Sequence, residues 1–333
     1  MSDETICKRH QVQGRYLSLL PFLFSFCCAG VAAAQPYPSK PIRLIVPLAP
    51  GGPSDTLARA VAVRLSEAMG QSVIVENRAG AGGTVGTDVA AKSPPDGYTM
   101  LLISNSFAIN ASLYSKLAYD TLKDLQAVTL IAAAPYLIAV HPSLPARSMK
   151  ELLALARARP GQLNYASGGS GTGPHMTLEL LKLGTGTSIV HIPYKGAGPA
   201  LIDLMAGHVE LQPVNMLVGL PQARAGKLRA LAVTTAKRSA AAPEIPTIAE
   251  TVLPGFDEGG QHGIVVPAGT PRENVARLHQ GIIKVLQNPD VKDRLAAEGS
   301  EVVGNSPEQF GSIIRADIEK WARVIQRTGI RAN

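Results

Sequence analysis

The chain has 333 residues, of which 46% are apolar, 5% aromatic and 17% charged, a composition that excludes a disordered chain and allows two separate cores. Its formal charge of +7 is dispersed, with no basic run interleaved by aromatics, so no nucleic-acid module is expected; a mild positive field suits small acidic solutes. All three cysteines, Cys7, Cys27 and Cys28, lie within residues 1–34.

Those 34 residues read as a secretory signal peptide. Lys8, Arg9 and Arg15 precede an apolar core, Leu17 to Cys28, and Ala32-Ala33-Ala34 supplies an A-x-A site before Gln35. An uncleaved membrane anchor is the alternative, but the apolar run is short against the about 20 residues of a span and contains Pro21. No lipobox precedes Cys27 or Cys28, so a lipid anchor is not expected. The exported chain then has no disulfide, and thiol catalysis is excluded.

Residues 43–70 form the first structural unit. Leu44-Ile45-Val46 is an apolar, β-branched run of the kind buried on both faces of a sheet. Pro50-Gly51-Gly52-Pro53 breaks it. Ser54 and Asp55 are placed to cap a helix whose Leu57, Val61 and Leu65 share one face and which Gly70 ends. The unpaired N–H groups at such a helix start carry partial positive charge, so strand, glycine loop and helix together make a seat for an anion, read here as a carboxylate.

Ser72 to Glu76 is a second strand, residues 77–86 (NRAGAGGTVG) a glycine-rich turn into a helix, and Tyr98 to Ile103 a third strand ending at Ser104-Asn105-Ser106. Strands alternating with helices predict a parallel α/β sheet, whose ligands sit beyond the carboxyl ends of the strands. That puts the 50–55 loop, the 80–86 loop and Ser104-Asn105 on one rim. Val128–Ile131 and Tyr136–Val140 read as strands, and residues 141–147 as a crossing segment. A second unit follows, with a strand at 163–166, the loop SGGSGTGP (Ser167 to Pro174), and a helix from His175. Further strands are expected at 189–192, at 209–214 ending on Asn215, and at 228–233. A return crossing is expected over 243–257, and closing helices near 272–286, 290–298 and 307–327. A chain that leaves one domain, builds another and returns has a two-crossing hinge. The expected domains are 35–142 with 256–333, and 143–255. The loops 49–55 and 167–174 then face each other across a cleft.

Neither loop carries a phosphate motif: G-x-x-x-x-G-K-[ST] is absent, and Pro174 stands where the last glycine of a dinucleotide fingerprint would fall after Gly169 and Gly171. Ser170 has Gly168 two before it but Thr172 two after, which is no nucleophile elbow. No histidine pair has zinc-ligand spacing, so neither metal nor cofactor is expected. Of the histidines, His175, at the second helix start, is the one placed to reach a ligand, with a capping role as its alternative. For Ser167, Ser170 and Thr172 the alternative is capping of their own helix. Lys195 is read as an exposed lysine at a helix start, and Asp55 as an N-cap rather than a catalytic acid.

Stretches along the mature chain resemble the substrate-binding proteins of tripartite tricarboxylate transporters, the Bug-type periplasmic receptors. They include YPSKPIRLIVPLAPGGPSD, VENRAGAGGTVGTDVAAKSPPDGYTM, LNYASGGSGTGPH, VHIPYKGAGPALIDLMAGHVEL and LPQARAGKLRALAVTTAKRSAAAPEIPTIAE. The resemblance implies a Venus-flytrap receptor of the type II periplasmic-binding-protein kind, two α/β domains closing on a small carboxylated solute. It would be a periplasmic, monomeric protein that delivers its solute to the membrane permease subunits of the transporter. Carried over, the seat is Pro50, Gly51, Gly52, Ser54 and Asp55 with Ser167, Gly169, Ser170, Gly171 and Thr172, and Ser104 and Asn105 form the floor. His175 and Asn215 complete the candidate ligand-binding set. Three positions depart from the family's habit. Val214 stands where an acidic residue is common, Gln261-His262 where an aromatic pair is usual, and Pro50 where alanine is common. An enzyme on the same scaffold, built on His175 near Ser170 and Thr172, and a sensor-linked receptor are the alternative readings.

Overall fold

The computed structural model describes residues 37–331, so the expected signal peptide, residues 1–34, lies outside the described residues. The elements in chain order are β1 (Ile42–Val46), α1 (Pro53–Met69), β2 (Val73–Asn77), a 3₁₀ turn (Ala81–Gly83), α2 (Thr84–Ala91), β3 (Thr99–Ser104), α3 (Ser106–Leu113), β4 (Leu125–Val140), α4 (Met149–Ala158) and β5 (Asn164–Ser167). Then come α5 (Gly173–Thr185), β6 (Val190–Pro193), α6 (Ala197–Ala206), β7 (Leu211–Asn215), α7 (Met216–Arg224), β8 (Arg229–Val233) and α8 (Ile248–Thr251). The chain closes with β9 (Gly259–Pro267), α9 (Arg272–Leu286), α10 (Pro289–Ala297), β10 (Glu301–Val302) and α11 (Pro307–Thr328).

The strands run in the order β2-β1-β3-β9-β4-β7-β5-β6, with β8 and β10 also paired to β4. The parallel pairing expected of the first three strands is present: β1 lies parallel to both β2 and β3. Strand β9 returns antiparallel to β3 and β4. The two strand-like runs at 128–131 and 136–140 are one 16-residue strand. A single strand bridges here because no Gly or turn pair interrupts the segment, and Pro135, still registered against Gly259 of β9, sits where the strand changes partners. Up to Pro135, β4 pairs with β9; from Tyr136 it pairs with β7, while Leu137 to Val140 pair with β8. The change of partner thus precedes the 141–147 segment, whose His141 N–H bonds the Glu210 carbonyl within the second half.

Period-two alternation divides the first half into two cores. Ile42, Leu44 and Val46 of β1, Met100 and Leu102 of β3, and Ile264 and Val266 of β9 pack on one face with Leu57, Val61 and Leu65 of α1 and Leu278 and Ile282 of α9. Their neighbours Ile45, Leu101, Ile103 and Val265 pack on the other face with Phe310 and Ile314 of α11. In the second half, Ile138, Val140, Tyr165 and Leu211 share a core with α4 and α5, and Ala139 and Val214 one with α6. Val214 therefore points into the helix layer, where it lies against Gly219 and Leu137, and not toward the cleft.

Helix α1 has Gly52 as its N-cap, Pro53 in its first turn and Gly70 as C-cap in the left-handed region at φ 70°. Ser54 and Asp55 lie inside the first turn rather than capping it, because Pro53, with no N–H to satisfy, already starts the helix. Leu44 is fully buried at the centre of this packing. Leu44→Ala is expected to destabilise the fold by about 2–5 kcal/mol, read as a lowered urea midpoint with an unchanged slope.

Candidate functional site

The first loop leaves β1 and is held in shape by Asp55. Its carboxylate accepts the Gly51 N–H at 3.0 Å, the Asn77 amide at 3.0 Å and the Arg59 guanidinium at 3.1 Å. Asn77 also donates to the Leu48 carbonyl, tying the loop to β2. Burial works against the charge on Asp55, but Arg59, Gly51 and Asn77 outweigh it and hold the carboxyl below its ordinary range. Asp55 is thus an ionised brace with its lone pairs spent on its own loop. Among the described hydrogen bonds, none uses the N–H of Ser54 or Asp55, so these helix-start donors remain available.

The second loop is built from its outer side. The Ser167 hydroxyl meets Nε2 of His191 at 2.6 Å and accepts the Gly169 N–H, and Thr172 donates to the Gly169 carbonyl. The Gly171 N–H donates to Nδ1 of His175, whose ring stacks on His191 at 4.2 Å. Tyr165 stacks on the other side of His191 at 4.8 Å and donates to Glu179, which also holds Lys182. Ser167, Thr172 and His175 are buried, and Ser170 is half-buried with no described hydrogen bond to its N–H. His175 therefore supports the loop backbone through Gly171, the capping alternative weighed above. The structure assigns His191 a part that sequence reasoning missed. The signal was present only in pairing: His191 lies opposite Tyr165 in the β5–β6 register.

The two glycine loops do not simply oppose each other. The Ala49 N–H donates to the Lys195 carbonyl at 3.1 Å, and a Cβ on Gly52 would lie 3.4 Å from Ala197. The second loop instead meets the 3₁₀ turn at Ala81–Gly83: Gly82, at φ 61°, passes so close that a Cβ there would overlap the Ser170 carbonyl. Asn110 of α3 locks that turn by donating to the Gly82 carbonyl.

On the floor, Asn105 grips β9 on both sides of Gly260, donating to the Gly259 carbonyl at 2.9 Å and accepting the Gln261 N–H at 2.7 Å. Ser104 meets Ser106 at 3.0 Å. His262 lies opposite Ser104 in the strand register, and its Nε2 meets the Ser54 hydroxyl at 3.1 Å. Asn215 caps α7, its Oδ1 accepting the Leu217 N–H. The candidate residues thus gather on the two loops and the strand ends between them, and most side chains among them serve their own backbone.

Burial keeps the histidines neutral. It pushes His175 and His262 down to about 4, and His191, also opposed by His175 and Lys182, down to about 3.

A family model described as the tripartite tricarboxylate transporter family receptor matches residues 57–330. Protein BugT of Bordetella pertussis is 40% identical over 308 residues, covering 91% of this chain and 94% of BugT. The structure of periplasmic binding protein BugD superposes with a TM-score of 0.86 at 33% identity, covering 89% of this chain and 99% of BugD. R. palustris Rpa4515 with adipate superposes with a TM-score of 0.86 at 37% identity, covering 89% of this chain and 99% of that one. The chain belongs to the tripartite tricarboxylate transporter receptor family, and its fold is that of the periplasmic binding proteins.

The neutral histidines set a pH dependence. In the unfolded chain a histidine takes up its proton near pH 6.5, whereas these bind only below about 4 or about 3. Below pH 6.5 the unfolded state therefore holds more protons, and this contribution to stability falls as pH falls. The melting temperature is expected to drop between pH 7.5 and 5, and His191→Gln, which keeps a polar partner for Ser167 but does not titrate there, to show a shallower drop. Equal slopes would contradict a neutral His191.

Proposed function

We propose that this family member is an extracytoplasmic receptor that captures a small carboxylate in the cleft between two domains and presents it, closed, to the membrane permease of a tripartite tricarboxylate transporter. The observation that carries this reading is that each half contributes a glycine loop that opens a helix and carries backbone N–H groups with no partner among the described hydrogen bonds. The N–H groups of Ser54, Asp55 and Ser170 have no partner among the described hydrogen bonds, and beside these loops the main chains of both halves come within contact distance. A carboxylate out of water is tolerated when each oxygen finds charge-assisted donors, and N–H groups at helix starts supply them. The adipate bound by the R. palustris relative is a ligand of this class.

The ligand-contacting set in this reading is Pro50, Gly51, Gly52, Ser54, Ser104, Ser170 and the backbone N–H of Asp55. The Asp55 carboxylate, Asn105, Ser167, Gly169, Gly171, Thr172 and His175 shape the loops behind them. The domains divide within β4 at Pro135–Tyr136 and on the return at Glu258–Gly259. Thr234 joins the two crossings, accepting the Tyr136 N–H and donating to the Glu258 carbonyl at 2.6 Å. Bending there would separate the Ala49–Lys195 and Gly82–Ser170 contacts and admit the solute. No bond of the solute is made or broken, and the exported protein works in the periplasm.

A thermal-shift panel of mono-, di- and tricarboxylates and acidic amino acids tests the reading. A ligand that binds only the folded state raises the melting temperature with concentration. One class of acid is expected to shift it. Ser170→Phe should abolish that shift while leaving the ligand-free melting temperature within a few degrees, and an unchanged shift would remove Ser170 from the site.

A further inference from the structure

His262, one of the positions that depart from the family's habit, lies in β9 with Ile264 and Val266, and period-two alternation gives all three the face on which α1 packs. Its neighbours across the sheet are Ser104 of β3 and Ala132 of β4. Both are small, which leaves the imidazole room beneath the first turn of α1. There its Nε2 meets the Ser54 hydroxyl at 3.1 Å, with His262 6% and Ser54 3% exposed.

A serine inside a helix commonly returns its hydroxyl to the carbonyl four residues earlier, as Ser66 does to Ala62 and Ser93 to Val89. Ser54 does not. The carbonyl at that spacing is Pro50's, which lies against Gly198 of the second half. Among the described hydrogen bonds, the Ser54 hydroxyl has His262 as its one partner. Ser54 also belongs to the helix start that follows the first glycine loop, where its N–H has no described partner.

The direction of the Ser54–His262 bond decides what the hydroxyl can offer an anion. The hydroxyl has one hydrogen, and burial keeps the imidazole neutral, so the ring has one as well. If Nε2 accepts, the serine hydrogen is spent on the ring, and only oxygen lone pairs remain to face a carboxylate, which they repel. If Nε2 carries the ring hydrogen and donates it, the serine hydrogen is free to make a charge-assisted bond to a carboxylate oxygen. Burial is the one influence on the ring's proton affinity, so the tautomer is set by bonding partners and not by a neighbouring charge.

We propose that His262 is a positioning residue of the carboxylate seat: in the liganded protein it donates from Nε2 to the Ser54 oxygen and so turns the Ser54 hydrogen onto the seated carboxylate. The proposal rests on the carboxylate-receptor reading above and deepens it, because it names what aims a side-chain donor of the first loop at the anion.

The probe is whichever of adipate, malate, succinate, citrate, glutamate and benzoate gives the largest thermal shift. NMR of protein isotopically labelled in its histidine rings reports which ring nitrogen carries the hydrogen, and His262→Gln assigns the signal. With the probe bound, His262 is expected in the Nε2–H form. Calorimetric titration with the same acid supplies the second readout. Ser54→Ala is expected to weaken binding at least about ten-fold, as loss of a hydrogen bond to a charged group does. His262→Phe, which keeps a ring but removes the donor, should weaken it at least about three-fold, and the double variant should bind within about two-fold of Ser54→Ala alone. His262→Gln, which can put a side-chain N–H at the place of Nε2, should restore most of what His262→Phe loses. An Nε2 without hydrogen in the complex, losses that multiply in the double variant, or a His262→Gln no better than His262→Phe overturns the proposal and leaves the receptor reading standing. Binding of none of these acids, nor of any in the wider panel, removes the receptor reading and this proposal together.

Discussion

A single methyl group added to Gly82 would overlap the Ser170 carbonyl, and one added to Gly198 would overlap the Pro50 carbonyl. At these two places main chain meets main chain. Backbone N–H groups are short and fixed, so they can hold a ligand oxygen only if the loops that carry them approach it closely. Glycine is the residue that permits this, and its cost is conformational freedom. That freedom is removed from outside the cleft. Asp55 and Asn77 brace the first loop, Asn110 the Ala81–Gly83 turn, and Ser167, His191 and His175 the second loop.

The same constraint explains the electrostatics. A cation in the seat would hold an anion tightly and release it reluctantly, whereas helix-start N–H groups provide partial charges without desolvating an ion of their own. Two acids near the loops are already paired: Asp55 with Arg59, and Glu179 with Lys182. The histidines behind the second loop are neutral, so they shape it without adding field. Burial lowers the proton affinity of both; at His191 it is reinforced by His175 and Lys182, whereas at His175 Glu179 partly offsets it.

Much of this was legible from local sequence. The run Leu44-Ile45-Val46, the break at Pro50–Pro53 and the period of Leu57, Val61 and Leu65 fall as read, because strand alternation and helix amphipathicity are local properties. The two-crossing topology read from the sequence set the two loops facing each other, whereas in the fold the first meets Lys195 and Ala197 and the second meets Gly82; the matched family agrees with the family resemblance. What stayed hidden depends on pairing between distant strands. The continuity of β4 through Pro135 depends on partners more than 70 residues away in β7, β8 and β9. The part of His191 follows from its position beside Tyr165 across β5 and β6. Val214, which departs from the family's acidic habit, is turned by strand alternation into the α6 layer.

That alternation also bears on the hinge. Because β4 serves both halves of the sheet, Tyr136 is the first residue of the second half's pairing. Its N–H is held by Thr234, which also bonds the Glu258 carbonyl on the returning strand, and Gly259 and Gln261 are held in turn by Asn105. Motion of one half relative to the other must therefore pass through backbone that directly flanks Tyr136 and Gly260.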